Sequence, residues 1–262
     1  MKIQDFILKK QKGEKISMLT CYDYSFAKVA SQSEVDCLLV GDSLAMTMHG
    51  FSTTLNATVE LMALHTAAVV RGAGNKFVVG DLPFLSYRQD LTTNMKAVGD
   101  VMRAGAQAVK LEGARGNLDL VRHIVDSGVP VMGHLGLTPQ SVHQLGGFKV
   151  QGKSSKEHED IFKDAQALQE AGCFSVVLEC IPAGLARDIS GALKIPTIGI
   201  GAGIGCDGQV LVLQDMLGMN PDFHPKFLRT YLKGFEEIKN AFNHYHRDVV
   251  GEKFPSPEES YS

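Results

Sequence analysis

Short apolar runs recur along the chain, and most of them stop abruptly at a polar residue. They lie at 16–20, 37–40, 77–80, 108–111, 129–132, 174–178, 195–200 and 210–213. Runs of this length, apolar at successive positions, suit strands covered on both faces, as in a parallel sheet. The segments between them carry a different spacing. Residues 58–73 (TVELMALHTAAVVRGA) put Leu61, Leu64, Ala68 and Val69 on one side of a helix. Helices are also predicted over 24–33, over 93–104 with Gly105 as C-cap, to about 127 with Gly128 closing it, over 156–171 with Gly172 at its end, over 183–192 and over 226–246.

Eight strand-like runs alternating with helices over 262 residues predict a (β/α)8 barrel, a fold whose usual length is about 250 residues. A doubly wound open sheet is the alternative, because periodicity does not separate the two and no clear helix follows the seventh run. No linker or shift of composition divides the chain, so a single barrel domain over 1–262 is expected, with 251–262 (GEKFPSPEESYS) as a mobile tail. The connection 135–155 (LGLTPQSVHQLGGFKVQGKSS) is long and rich in Gly, Gln and Ser. A connection of that kind inside a compact domain is expected to be a lid or a substrate-binding segment.

The chemistry collects where the runs stop. Their carboxyl ends carry Asp42, Asp81, Glu112, His134 and Glu179, and a barrel would set these around one mouth. One strand-end acid is ordinarily a cap, and Asp42-Ser43 after CLLVG reads as a turn or helix cap as readily as a site. Four such acids at four separate ends would repel one another and call for a cation. An all-oxygen set favours Mg2+ first and Mn2+ or Ca2+ next, over zinc. Lys110 is two residues from Glu112 and shares its strand face, either as a structural counter-ion or as a partner for a substrate anion.

Composition narrows the classes. Hydrophobic residues make up 44% and charged residues 21%, enough for a substantial core. A net charge of −3, from 26 basic and 29 acidic residues, gives no field for nucleic acid or an anionic membrane. There is no apolar stretch of ~18 residues and no small-residue cleavage site after MKIQDFILKKQKGEK. A soluble cytoplasmic protein is therefore expected. The five cysteines form no C-x-x-C pair, and Cys37 and Cys180 lie in apolar runs, so buried thiols in a reducing compartment are expected. Residues 203–208 (GIGCDG) match G-x-G-x-x-G by spacing but lack the following helix and ribose-binding acid, which makes a tight turn the better reading. His65 lies in a helical stretch and is expected to be structural. No G-x-S-x-G elbow or Walker loop occurs.

Six segments carry a family resemblance: VGDSLAMTMHG (40–50), GDLPF (80–84), VKLEG (109–113), GHLGLTPQSVHQLGGFKVQG (133–152), LECIPA (178–183) and IPTIGIGAG (195–203). In order, and from about residue 16 to 235, they resemble the ketopantoate hydroxymethyltransferases. The resemblance implies a barrel of the phosphoenolpyruvate mutase and isocitrate lyase superfamily, assembled as a homodecamer. It implies transfer of a hydroxymethyl group from 5,10-methylenetetrahydrofolate to 3-methyl-2-oxobutanoate through an enolate, giving 2-dehydropantoate for pantothenate biosynthesis, with a divalent metal, normally Mg2+. Position by position it implies Asp42 and Asp81 as metal ligands that also meet the substrate, and Glu112 as the third acid at the metal. Ser43 and Lys110 correspond to residues that bind the keto acid, Glu179 to the catalytic base, and His134 to an active-site histidine on the substrate side. The alternatives are a Mg2+-dependent 2-oxo acid lyase or mutase without folate, and a nucleotide-binding regulatory module built on 199–208.

Overall fold

In the computed structural model, which describes residues 1–261, all eight runs form strands. They are β1 (Ile16–Thr20), β2 (Cys37–Val40), β3 (Phe77–Asp81), β4 (Ala108–Glu112), β5 (Val131–Gly136), β6 (Ser175–Glu179), β7 (Thr197–Ile200) and β8 (Gly208–Leu211). Each pairs in parallel with its neighbours in sequence order, and β8 returns to β1 to close the barrel. Closure excludes the open doubly wound sheet.

Alternation along the strands divides the core in two. One apolar cluster takes Met18, Cys37, Leu39, Phe77, Val79, Ala108, Met132, Val177, Ile198 and Val210, together with Phe6 from the helix Ile3–Lys12. Phe6, Phe77 and Phe174 meet edge to face at 5.1 to 6.0 Å and plug the amino end of the barrel. The other cluster joins the opposite strand faces (Val109, Leu111, Val131, Val176, Leu178) to helix residues such as Val101, Val121, Ile124, Leu168 and Ile189. Two residues beyond the inward Val79, Ala108, Met132 and Val177 come Asp81, Lys110, His134 and Glu179. The filled amino end and the strand period together put the polar side chains at the carboxyl end.

Several helices begin where a side-chain oxygen accepts a free N–H group. Asp23 accepts from Phe26 N–H at 2.9 Å, Asp90 from Thr93 N–H at 3.1 Å, and Ser154 from Glu157 N–H at 3.3 Å. No helix separates β7 from β8 among the described residues; Gly201–Asp207 is a turn, as expected for the G-x-G-x-x-G match. The 135–155 connection is partly ordered, with a 3-10 turn at Pro139–Ser141 and a short helix at Val142–Leu145. The last helix runs Gly234–Val250 rather than 226–246. Tyr231 N–H donates to the Met216 carbonyl, Gly234 N–H to Leu217 and Phe235 N–H to Gly218. That pairing holds the chain before residue 234 out of the helix.

By compactness the chain forms two units, Met1–Leu211 with all eight strands and Val212–Ser262 with the helices Leu213–Met216 and Gly234–Val250. Of the tail expected to be mobile, residues 251–261 include a 3-10 turn at Pro257–Glu259, and Ser262 lies outside the described residues. All five cysteines are free and buried. No helix among the described residues is long and apolar enough to cross a membrane.

Candidate active site

Six strand-end side chains meet in one connected set, with Ser43 next to Asp42 in the chain. Asp42, Asp81, Lys110, Glu112 and His134 are each 2 to 4% exposed, while Glu179 and Ser43 are partly open to solvent. The Asp42 backbone N–H donates to Asp81 Oδ2 at 3.1 Å. Asp81 stands opposite Lys110 in register, and Lys110 Nζ lies 3.0 Å from Asp81 Oδ1. Apart from this ion contact Asp81 Oδ1 has no hydrogen-bond donor.

Glu112 stands opposite His134 in register. His134 presents Nδ1 to Glu112 Oε1 at 3.4 Å and Nε2 to Glu179 Oε2 at 3.1 Å. Lys110 Nζ also approaches Nδ1, at 3.4 Å. Burial and the Lys110 charge pull the imidazole pKa down, but the contacts with Glu112 and Glu179 outweigh them and it is pushed up to about 9. His134 thus carries positive charge between two acids. Burial raises the Asp42 carboxyl well above its usual range, and Glu112 and Asp81 raise it further. Burial also raises Asp81, with Lys110 opposing the shift. For Lys110, burial works against the charge, and Asp81, Glu112 and Asp42 more than reverse it.

Ser43 occupies the N-cap position of the helix Leu44–Thr47 without capping it through its side chain. Its hydroxyl lies 2.7 Å from the Tyr22 hydroxyl instead. The cap reading of Asp42-Ser43 therefore fails for the serine side chain. His65 is structural, as expected: Nδ1 donates to the Tyr22 carbonyl at 2.5 Å, and Nε2 meets His49 Nε2 at 3.0 Å.

Two residues of this cluster escaped the sequence reasoning. Gln140 Nε2 donates to Asp42 Oδ2 at 2.8 Å and to the Leu82 carbonyl at 3.0 Å, and its backbone N–H donates to Glu112 Oε2 at 3.0 Å. Tyr87 donates its hydroxyl proton to Gln140 Oε1 at 2.6 Å and accepts the Glu112 N–H at 3.2 Å. Both are neutral, so a search for clustered charge passes over them. The one available signal was that Gln140 lies inside the 133–152 run.

Three buried carboxylates (Asp42, Asp81, Glu112) face the Lys110 ammonium and the His134 ring, and Asp81 Oδ1 and Glu112 Oε1 make charge contacts with these but have no hydrogen-bond donor. Among the described residues no three His, Cys, Asp or Glu side chains form a ready ligand cage. Clustered buried carboxylates whose free oxygens have charge contacts but no hydrogen-bond donor fit a hard cation that takes one or two protein ligands and keeps waters, as Mg2+ does.

A closed eight-stranded parallel barrel with an acidic, lysine-bearing mouth at the carboxyl ends of its strands has the make-up of a (β/α)8-barrel enzyme. The fold is shared with phosphoenolpyruvate phosphomutase from Streptomyces platensis (TM-score 0.65, 12% identity, 98% of this chain and 92% of that chain). It is shared too with 2,3-dimethylmalate lyase, described as a member of the phosphoenolpyruvate mutase and isocitrate lyase superfamily (TM-score 0.62, 13% identity, 98% and 92% covered). A third is phosphonopyruvate hydrolase in complex with oxalate and Mg2+ (TM-score 0.61, 10% identity, 95% and 99% covered). The sequence goes further: residues 1–257 match the family model for ketopantoate hydroxymethyltransferase. The chain is 68% identical over 260 residues to a 3-methyl-2-oxobutanoate hydroxymethyltransferase of Bdellovibrio bacteriovorus, covering 99% of each. It is 59% identical over 256 residues to one from Coxiella burnetii, covering 97% of this chain and 96% of the relative. The chain belongs to the ketopantoate hydroxymethyltransferase family.

Proposed function

We propose that this enzyme moves a hydroxymethyl group from 5,10-methylenetetrahydrofolate to 3-methyl-2-oxobutanoate, forming 2-dehydropantoate in pantothenate biosynthesis. The observation that carries the reading is the pairing of Glu179 with His134 beside the Asp42, Asp81 and Lys110 cluster. The reaction must remove a proton from a carbon next to a ketone, and a lone carboxylate in water is too weak a base for that. Glu179, the more exposed acid, faces the open side and takes the C3 proton. His134 stands beside its carboxylate as a charge partner, with Nε2 3.1 Å from Oε2. Lys110 sets positive charge beside the oxygens where negative charge develops. Ser43, held by Tyr22, offers a hydroxyl to the keto acid. Asp42 and Asp81, with Glu112 behind them, would hold a divalent cation, Mg2+ first, which when bound would supply Lewis-acid stabilisation at the keto and carboxylate oxygens. The carbanion attacks the one-carbon unit, and water supplies the hydroxyl oxygen as tetrahydrofolate leaves.

The names of the 68% and 59% identical relatives support the substrate, and the oxalate and Mg2+ of a structural neighbour are in keeping with a metal-held 2-oxo acid. Full-length coverage supports treating 1–262 as one catalytic domain. We further read the protein as a cytoplasmic homo-oligomer, of decameric size by family resemblance, that binds neither nucleic acid nor membrane. The test is turnover of 3-methyl-2-oxobutanoate with methylenetetrahydrofolate, with and without EDTA. Metal-dependent dehydropantoate is expected, whereas folate-independent cleavage of a 2-oxo acid would favour the lyase reading. Roles separate by variant. Asp81→Ala is expected to weaken metal binding. Glu179→Gln is expected to keep metal and keto-acid binding but lose exchange of the C3 proton with deuterium. Unimpaired exchange in Glu179→Gln would remove the base assignment.

A further inference from the structure

Gln140 is buried with both side-chain polar atoms and its backbone N–H committed. The Leu82 carbonyl can only accept, so the amide nitrogen must face it. The Tyr87 hydroxyl accepts the Glu112 N–H and gives its proton to the nearer of two acceptors, Gln140 Oε1 at 2.6 Å rather than the Glu112 carbonyl at 3.4 Å, which fits an amide oxygen facing Tyr87. With the amide orientation settled from both sides, the second Nε2 hydrogen points at Asp42 Oδ2. The backbone N–H of the same residue holds Glu112 Oε2. Pro139 starts the 3-10 turn one residue earlier, which leaves the Gln140 N–H free of any bond within the turn.

We infer that Gln140, oriented by Tyr87, is a positioning residue for the cation site. It holds one Asp42 oxygen so that the other is presented to the metal, and it ties Glu112 into the same frame. The inference rests on the divalent-cation reading of Asp42, Asp81 and Glu112. It adds that the 135–155 connection contributes to the metal site through this residue. Nothing in the geometry brings Gln140 to a reacting atom; its effect passes through Asp42 and Glu112.

The test is direct titration of the substrate-free protein with Mg2+ by calorimetry and with Mn2+ by electron paramagnetic resonance. It uses wild type, Asp42→Ala, Gln140→Met, Tyr87→Phe and the Tyr87→Phe/Gln140→Met double variant. Gln140→Met keeps the length of the side chain and removes its donor. It is expected to weaken metal binding by about 10- to 100-fold, the usual effect of losing a group that orients a metal ligand. The metal concentration for half-maximal rate should rise in step, while kcat at saturating metal recovers toward wild type. Tyr87→Phe should weaken binding less, and the double variant should fall short of the sum of the two single effects, because part of the Tyr87 effect passes through the Gln140 amide and the rest through the Glu112 N–H. A purely structural role would lower thermal stability and leave metal affinity alone. Folded Gln140→Met with affinity within about twofold of wild type overturns the inference. So does additivity of the two substitutions. If Gln140→Met fails to fold, unchanged affinity in Tyr87→Phe overturns it just as well. Metal binding in wild type that Asp42→Ala abolishes and Gln140→Met leaves intact defeats the positioning role alone. No metal binding by wild type defeats the cation reading and this inference with it.

Discussion

At the scale of residues, Lys110 decides whether the acidic mouth is tolerable without a metal. It is the ammonium set against Asp42, Asp81 and Glu112, all buried with it. Lys110→Met keeps the stem and removes the charge. Breaking a buried pair from one side costs about 3 to 5 kcal/mol, since the carboxylates stay behind. Urea unfolding of the metal-free variant should show a loss of that order, with excess Mg2+ restoring part of it; an unaltered midpoint would mean the three acids are already neutral. Asp215 allows a cleaner pH test. Burial alone raises its pKa from 3.8 to about 6. The folded protein therefore holds this proton more tightly than the unfolded chain does. The stability tied to it is fully present below about pH 4 and lost as pH rises through about 6. Asp215 is little more than half buried, so after allowance for solvent screening Asp215→Asn should gain about 1 kcal/mol at pH 8 and nothing at pH 4. Equal gains at both pH values would show that the burial does not act on the charge. Asp42, Asp81, Glu112, His134 and Glu179 were legible in the sequence because each ends an apolar run. Lys110 was legible because strand parity ties it to Glu112. Gln140 and Tyr87 were not, because a neutral residue in an aperiodic connection leaves neither a charge nor a period to read.

At the scale of elements, the strands were readable because burial on both faces makes most of them short apolar runs, β1 and β8 being the two interrupted by an exposed polar residue, Ser17 and Gln209. The ends of helices were less so, because backbone pairing elsewhere in the chain sets them. The final helix is the example: the 231–235 to 216–218 pairing delays its start to Gly234, and nothing in the local periodicity announces that. The end of β5 shows how an element places the proposed base, Glu179. Gly136 stands opposite Glu179 in register with φ at +91°, and a Cβ there would strike the Glu179 carbonyl oxygen. Leu137 N–H donates to that same carbonyl at 2.8 Å. Gly136→Ala should therefore cost about 1 to 3 kcal/mol in backbone strain and move the backbone that carries Glu179. We expect a drop in kcat of at least about tenfold with little change in metal affinity, since a displacement of about 1 Å at a reacting group has effects of that size or more. Lower stability with unaltered kcat would show that the Glu179 carboxylate keeps its place independently of β5.

At the scale of the whole molecule, the helix Gly234–Val250 carries a surface that calls for a partner. Phe235, Ile238, Phe242, Tyr245 and Val249 follow one another at spacings of three and four, the seam of a heptad repeat. They are 42, 38, 69, 61 and 43% exposed. A continuous apolar seam of this kind marks an interaction surface. A second copy of the same chain is a self-matching occupant, because a two-fold axis across the seam sets identical stripes face to face. This supports the homo-oligomer proposed above. Phe242 is the central and most exposed member of the seam. Phe242→Glu would put a carboxylate into a contact meant to exclude water while leaving the helix, whose surface position tolerates Glu, intact. Sedimentation of wild type should show an assembly much larger than the 28.4 kDa chain, and Phe242→Glu should shift it to smaller species with the circular dichroism of the monomer unchanged. An assembly of unaltered size in Phe242→Glu would place the subunit contacts elsewhere, and a monomeric wild type would refute self-association itself.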